Sequence, residues 1–221
     1  GADLAADSGL PMIIVESPRE ALGAISAWVY RTAQAAPLLF GITGTNGKTS
    51  VSYLLHGMLA QLGLVAGLST TAERKIGDLT VASSLTTPEA TEVHGLLARM
   101  RESEVRAVVL EVSAQALTRN RVDGLVFDVV GFLNLSHDHL DDYADMETYF
   151  AAKLPLFEPD RARRGVVSLD TEWGQRVVDA SRIPITTVSS TPGVDAAWTV
   201  TILQERAEYT EFELTPPEGQ S

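Results

Sequence analysis

The chain of 221 residues contains no cysteine, which excludes a disulfide framework and a thiolate metal site. Basic residues are outnumbered: 17 Lys and Arg stand against 29 Asp and Glu, a formal net charge of −12. That balance argues against a broad nucleic-acid surface. Long apolar runs are also missing, since each is broken well short of the about 20 residues of a membrane span. No basic-then-apolar leader opens the sequence. A cytoplasmic protein with no nucleic-acid and no membrane partner is therefore expected, and a monomer. Aromatic residues make up only 6%, yet hydrophobic residues reach 45%. That is enough to bury a sizeable core in one large domain or one and a half smaller ones.

What is present is a phosphate cradle. Gly41-Ile42-Thr43-Gly44-Thr45-Asn46-Gly47-Lys48-Thr49-Ser50 follows an apolar run, Leu38 to Phe40, and precedes an amphipathic one. Glycines let backbone N–H groups approach phosphate oxygens, and the following helix aims its positive dipole end at them. Lys48 is placed to reach the outer phosphates and the Thr49 hydroxyl to ligate Mg²⁺. The common P-loop has a glycine five residues before Gly47, where this chain has Ile42. The match is therefore G-x-x-G-K-T, Gly44 to Thr49, and its force comes from the strand-to-helix setting. Gly44, Thr45, Asn46, Gly47, Lys48, Thr49 and Ser50 form the expected nucleotide-binding set. Local groups such as Lys48, Arg121 and the loop amides, with Mg²⁺, have to overcome the acidic background.

The rest of the pattern is α/β. Leu22, Ile25 and Val29 predict a helix over 19–30 after Pro18, and 31–37 read as a linker. Val51, Leu54, Leu55, Met58, Leu59 and Leu62 predict a helix over about 48–62, stopped by Gly63. Leu64 to Leu68 predicts a strand, and a hairpin-like polar stretch follows around Lys75 to Asp78. Thr87 is expected to cap a helix with Pro88 in its first turn and Leu96, Leu97 and Met100 on its inner face. Ala107 to Val112 and Phe127 to Leu133 read as central strands covered on both faces. Val166 to Leu169 and Ile185 to Val188 predict further strands around a helix at 171–180. Alternation over 197–214 predicts an antiparallel hairpin. The expected fold is an open, mostly parallel sheet with a P-loop and flanking helices, plus a C-terminal antiparallel hairpin.

In such sheets the ligand crevice lies beyond the carboxyl ends of the strands. Glu111 and Ser113 fall at such an end, and a carboxylate beside a phosphate loop is a natural Mg²⁺ partner. Asn134 to Asp141 follows another strand and clusters His and Asp. Asp138 and Asp141 flank His139 and could orient its ring, which favours His139 over His137 as a metal ligand; His137 is left as a structural or supporting residue. His56 and His94 read as surface residues. Lys153 lies in apolar Ala151-Ala152-Lys153-Leu154, where a cation is costly unless paired or neutral. Reaction with CO₂ to a carbamate would turn it into an anionic Mg²⁺ ligand; a snorkelling surface lysine is the plainer alternative.

Taken together, Thr43 to Thr49, Leu85-Thr86-Thr87-Pro88-Glu89, Glu111 to Leu117, Arg121-Val122, Asn134-Leu135-Ser136 with Asp138 to Asp141, and Ala151-Ala152-Lys153 resemble the Mur ligases. These are the ATP-dependent amide ligases of peptidoglycan precursor synthesis, and the MurE type is most similar. The resemblance covers about residues 38–160. It implies that Lys48 and Thr49 bind ATP phosphates and Mg²⁺, and that Glu111 serves the metal ions. It further implies that His139 and a carbamylated Lys153 serve a second metal, and that Thr86, Thr87, Ser113 and Arg121 contact UDP-N-acetylmuramoyl-dipeptide.

Two segments depart from the MurE pattern: Ser113-Ala114-Gln115 replaces Ser-Ser-His, and His137 replaces Arg. By the same resemblance, residues 1–36 are the tail of an N-terminal UDP-substrate domain and its linker, and 37–221 a central ATP-binding domain truncated at its end. A C-terminal ligase domain is absent, so the fragment alone is expected to be inactive. The implied reaction is phosphorylation of a substrate carboxylate, then attack by an amino acid's amine. The alternatives are a ligase of the folylpolyglutamate or cyanophycin type and a non-catalytic nucleotide-binding module.

Overall fold

The computed structural model describes residues 13–33, 37–77, 79–83, 85–138 and 142–217. Helix α1 (Pro18–Tyr30) starts with proline in its first turn and ends at Arg31, which adopts a left-handed φ of 54°. Strand β1 (Leu38–Thr43) leads through the glycine loop into α2 (Lys48–Gln61). Gly63, at φ +80°, ends that helix as its sequence position predicts. Strands β2 (Ala66–Ser69), β3 (Glu73–Ile76) and β4 (Leu79–Ala82) follow, then α3 (Ala90–Glu102), β5 (Ala107–Glu111) and the short α4 (Ala114–Thr118). The second half holds β6 (Val129–Phe132), α5 (Met146–Ala151), a 3₁₀ turn (Leu154–Phe157), β7 (Gly165–Ser168), α6 (Glu172–Ala180), β8 (Ile185–Ser189), β9 (Trp198–Glu205) and β10 (Thr210–Thr215).

All ten strands join one sheet in the order β10-β9-β8-β7-β6-β1-β5-β2-β3-β4. The run from β9 through β8, β7, β6, β1 and β5 to β2 is parallel throughout. Antiparallel pairs lie only at the two margins, β2-β3-β4 and β9-β10. The expected C-terminal hairpin is present, and the polar stretch around Lys75 is a hairpin of β3 and β4. The chain moves outward from β1 to β2, returns through β5 and crosses to β6 on the far side of β1. That reversal opens a crevice at the carboxyl ends of β1, β5 and β6.

Alternate residues of the central strands feed two cores. Leu39, Val108, Leu110, Val130, Phe132 and Val167 face the layer that holds α3, α5 and α6. Ile42, Leu68, Ala107 and Val109 face α2 on the opposite side. Burial on both faces explains the continuous apolar runs in β1 and β5.

Three sequence expectations are corrected here. The apolar stripe of α2 is wider than what covers it: Leu59 is buried, but Leu54, Met58 and Leu62 are exposed. Leu54 and Met58 border an apolar groove of about 470 Å³ over Val129, Val166 and Val188. Helix α3 begins at Ala90 with Glu89 in the cap position, because the Thr87 hydroxyl is drawn inward to the Glu111 carbonyl at 2.8 Å. His94 is fully buried. Its Nδ1 lies 2.6 Å from Thr32 Oγ1 and its Nε2 2.9 Å from the Asp123 carbonyl, which ties α1 to α3. Burial pushes its pKa down, so the neutral ring is the form held there. His56 is half-buried, with Nε2 3.3 Å from the Ala66 carbonyl.

Candidate active site

The phosphate loop sits where β1 emerges beside β5 and β6. Gly47 forms the junction with α2 at φ +81°, a left-handed conformation that favours glycine. A Cβ on Gly44 would lie 3.1 Å from Leu133 Cβ, so the loop can press against the end of β6 only without a side chain there. Gly41 serves packing instead. Inside β1 a Cβ on it would stand 2.9 Å from the Phe127 ring, so the bare backbone makes room for that ring.

Asn134, just past β6, braces the loop. Its Oδ1 accepts from the Thr45 and Asn46 amides at 3.2 and 2.9 Å, and its Nδ2 donates to the Asn46 carbonyl at 3.1 Å. Ser136 adds a bond from its amide to Thr45 Oγ1 at 3.0 Å and another from Asn46 Nδ2 to its own Oγ at 3.1 Å. The amides of Thr45 and Asn46 are thus engaged within the protein. The first-turn amides of α2, at Lys48, Thr49 and Ser50, have no intrahelical partner and face the mouth of the cradle.

Two lysines converge on one carbonyl. Lys48 Nζ donates to Gly44 O at 3.0 Å and Thr45 O at 2.7 Å. Lys153 Nζ donates to the same Gly44 O at 3.3 Å. Lys153 follows α5 and is 1% exposed, so it is not a snorkelling surface lysine. Its ammonium lies 4.5 Å from the centre of the Tyr149 ring, and Tyr149 is its neighbour one helical turn back. Burial and then repulsion from Lys48 push the Lys153 pKa down to about 7, with Asp138 opposing. Burial also lowers Lys48, against the pull of Glu111 and Asp138. The Lys48 ammonium at the mouth of the loop makes a natural seat for a polyanion, and Lys153 beside it is poised to lose its proton near neutrality.

Glu111, at the end of β5, is 1% exposed. Its carboxylate accepts from the Thr71 amide at 3.3 Å and the Thr71 hydroxyl at 3.0 Å. The Thr71 hydroxyl also lies 3.1 Å from Thr86 Oγ1. Thr49 is half-buried beside Lys48. These hard oxygen donors suit Mg²⁺. Among the described residues no group of three or more His, Asp and Glu forms a metal cluster; His139 and Asp141 lie outside the described residues. His137 and Asp138 are exposed.

A cleft of about 230 Å³ opens next to the loop, lined by Lys48, Leu85, Thr86, Ser113, Gln115, Arg119, Arg121 and Asp142. The structure therefore gathers Lys48, Thr86, Ser113 and Arg121 around one cleft. Thr87 is a correction: it has no exposed surface, its hydroxyl also accepts from the Ser113 amide at 3.2 Å, and it frames the cleft from behind. Ser113 Oγ caps α4 through the Ala116 amide at 3.1 Å. Gln115 donates to Asp142 at 3.0 Å, and Arg119 reaches the same carboxylate at 3.4 Å.

Sequence reasoning misses Thr71, Tyr149 and Asp142. Thr71 follows β2, so the strand-end rule points to it once β2 is placed; Tyr149 is signalled only by its spacing from Lys153.

The family model of the Mur ligase middle domain matches residues 42–221. The chain belongs to the Mur ligase family. A UDP-N-acetylmuramyl-tripeptide synthetase of Leifsonia xyli subsp. xyli is 64% identical over 219 residues, 99% of this chain and 43% of that protein. A UDP-N-acetylmuramoyl-L-alanyl-D-glutamate–2,6-diaminopimelate ligase of Streptomyces avermitilis is 46% identical over 198 residues, 90% of this chain and 39% of that protein. A solved ligase of the latter name superposes with a TM-score of 0.79 at 23% identity, over 90% of this chain and 42% of that one. E. coli FolC in complex with DHPP and ADP shares the fold at a TM-score of 0.64 and 16% identity, over 97% of this chain and 55% of that one. This Mur ligase domain thus spans about two fifths of the length of these curated relatives. No helix among its described residues is long and apolar enough to cross a membrane.

Proposed function

We propose that residues 37–221 are the nucleotide-binding domain of a cytoplasmic, ATP-dependent amide ligase that adds an amino acid to UDP-N-acetylmuramoyl-L-alanyl-D-glutamate. Residues before 37 are then the tail of the domain that holds the uridine end. The observation that carries this reading is the meeting of Lys48 and Lys153 at Gly44 O, at the strand ends that also present Glu111 and the arginine-lined cleft. The relatives' names supply the substrate class. FolC-like proteins share only the fold, so the muramoyl substrate is favoured over folate.

A carboxylate is a poor electrophile because its leaving group would be oxide. Phosphoryl transfer from ATP converts it to an acyl phosphate, which an amine attacks; the tetrahedral intermediate collapses with loss of phosphate. The chain's part is positioning and charge. The α2 first-turn amides and Lys48 hold the phosphates and offset charge gathering on the transferring group. Thr49 and Glu111, with His139, would hold Mg²⁺, which when bound polarises the phosphoryl oxygens. Lys153, with its pKa down to about 7, is largely a free amine above neutrality. Only the free amine reacts with CO₂: its nitrogen would form the new C–N bond and release a proton, leaving an anionic carbamate whose oxygens could serve as hard ligands to Mg²⁺. Thr86, Ser113 and Arg121 would receive the substrate's anionic groups.

The test uses the full-length protein and measures ADP release with UDP-muramoyl-dipeptide, with a folate substrate, and with a panel of amino acids. Turnover is expected with the muramoyl substrate and one amino acid, and Lys48→Ala is expected to abolish it while the melting temperature stays close to wild type. Normal turnover by Lys48→Ala would refute the phosphate role.

A further inference from the structure

Glu89 occupies the cap position of α3, yet its carboxylate caps no amide of that helix. Arginines take both oxygens instead. Oε1 accepts from Arg121 Nε at 3.0 Å and lies 2.9 Å from Arg121 Nη2, so both nitrogens converge on one carboxylate oxygen. Oε2 accepts from Arg19 Nη1 at 3.1 Å. Arg121 is 8% exposed, and its Nη1 also donates to the Thr87 carbonyl at 3.4 Å. Its guanidinium is therefore fixed along its length by Glu89 and Thr87, with one edge left on the cleft.

Arg19 comes from α1, outside the sheet. The same Nη1 reaches the Arg119 carbonyl at 3.4 Å, at the end of α4 and on the cleft wall. Helix α1 is itself seated on α3. Gly23 approaches Asp123 so closely that a Cβ would stand 2.5 Å from the Asp123 Cβ. Arg101 of α3 donates to the Tyr30 and Arg31 carbonyls at 3.2 and 3.1 Å. One side chain of α1 thus meets the carboxylate that orients the cleft's most buried cation.

We propose that Glu89 is a positioning residue that aims Arg121 at the anionic group of the substrate, and that Arg19 links the seating of α1 to that aim. This rests on the proposed contact between Arg121 and substrate. Two effects of Glu89 compete. Its charge offsets that of Arg121, which by itself weakens attraction for an anion; its charge-assisted hydrogen bond to Nε, with the Thr87 carbonyl on Nη1, fixes the direction of the planar guanidinium. For a guanidinium this deeply set, orientation outweighs the offset charge, since a misdirected fork loses its hydrogen bonds to the ligand outright.

The sign of one substitution decides between them. In the full-length protein, Glu89→Gln is expected to raise KM for UDP-muramoyl-dipeptide about tenfold, the size of one charge-assisted hydrogen bond, with KM for ATP unchanged. Glu89→Asp, which keeps a carboxylate, is expected to recover part of the loss. Arg19→Ala, at an exposed pair, is expected to raise the same KM about two- to fivefold and to add nothing in the Glu89→Gln background. An unchanged or lowered KM for the muramoyl substrate in Glu89→Gln overturns the positioning role. Should Glu89→Gln fail to fold, Glu89→Asp and Arg19→Ala decide: an unchanged KM in Glu89→Asp, whose shorter carboxylate cannot keep the same hold on Arg121, overturns the positioning role, and an unchanged KM in Arg19→Ala overturns the link. Arg121→Ala separates the two levels. If it leaves that KM unchanged, the site assignment itself fails; if it raises KM while Glu89→Gln does not, only the positioning role fails.

Discussion

Lys153 makes stability depend on pH in a direction that can be worked out from its surroundings. Its pKa falls from the ordinary 10.5 to about 7 because burial strips water from the ammonium and Lys48 repels it. Below pH 7 the group is charged in both the folded and unfolded chain, and folding carries the full cost of burying it. Between pH 7 and 10.5 the unfolded chain holds a proton that the folded chain has released, so stability rises with pH. Above 10.5 the group is neutral in both states and the cost disappears. At about 1.4 kcal/mol per pH unit the full cost is on the order of 5 kcal/mol.

Lys153→Met keeps an unbranched apolar stem out to Cε and removes the ionisable nitrogen. The variant is expected to be more stable than wild type at pH 6, and its advantage should shrink by about 2 kcal/mol between pH 7 and 9. Urea unfolding of both chains at pH 6, 7, 8 and 9, in CO₂-free buffer without Mg²⁺, measures that difference. Lost contact with Gly44 O and the Tyr149 ring shifts the whole comparison by a constant, so the slope is the diagnostic quantity. A difference that stays flat across this range would refute a buried, near-neutral lysine.

Two further outcomes follow from tight contacts. Gly174→Ala places a Cβ 2.0 Å from the Ser168 carbonyl; a loss of about 3 kcal/mol or more is expected, read as a lower urea midpoint. Thr87→Val removes the hydroxyl that bonds the buried Glu111 carbonyl and the part-buried Ser113 amide; leaving both without that partner is expected to cost about 1–3 kcal/mol in thermal unfolding.

Much of this architecture is written in local pattern. The runs Leu38–Thr43 and Ala107–Glu111 announce central strands because both their faces are buried, and Gly63 ends α2 because a left-handed turn there suits glycine. The strand-end rule finds Glu111 and Ser113. What local pattern hides is partnership across the fold. The exposed side of α2 cannot be told from its buried side, since Leu54 and Met58 look no different from Leu59. His94 reads as an ordinary polar residue until Thr32 and Asp123 arrive from distant segments. Thr87 looks like a helix cap because cap chemistry is local, whereas the pull of the Glu111 carbonyl is not. Lys153 can be suspected from its apolar neighbours, but its meeting with Lys48 depends on how α5 returns to the glycine loop.

The brace between the glycine loop and the segment after β6 has a mechanical consequence. Thr45, Asn46, Asn134 and Ser136 are laced to one another from both sides, so neither stretch can breathe alone. Deuterium should enter the amides of Thr45, Asn46 and Ser136 at a common rate, as one opening unit, and anything that stills one stretch will still the other.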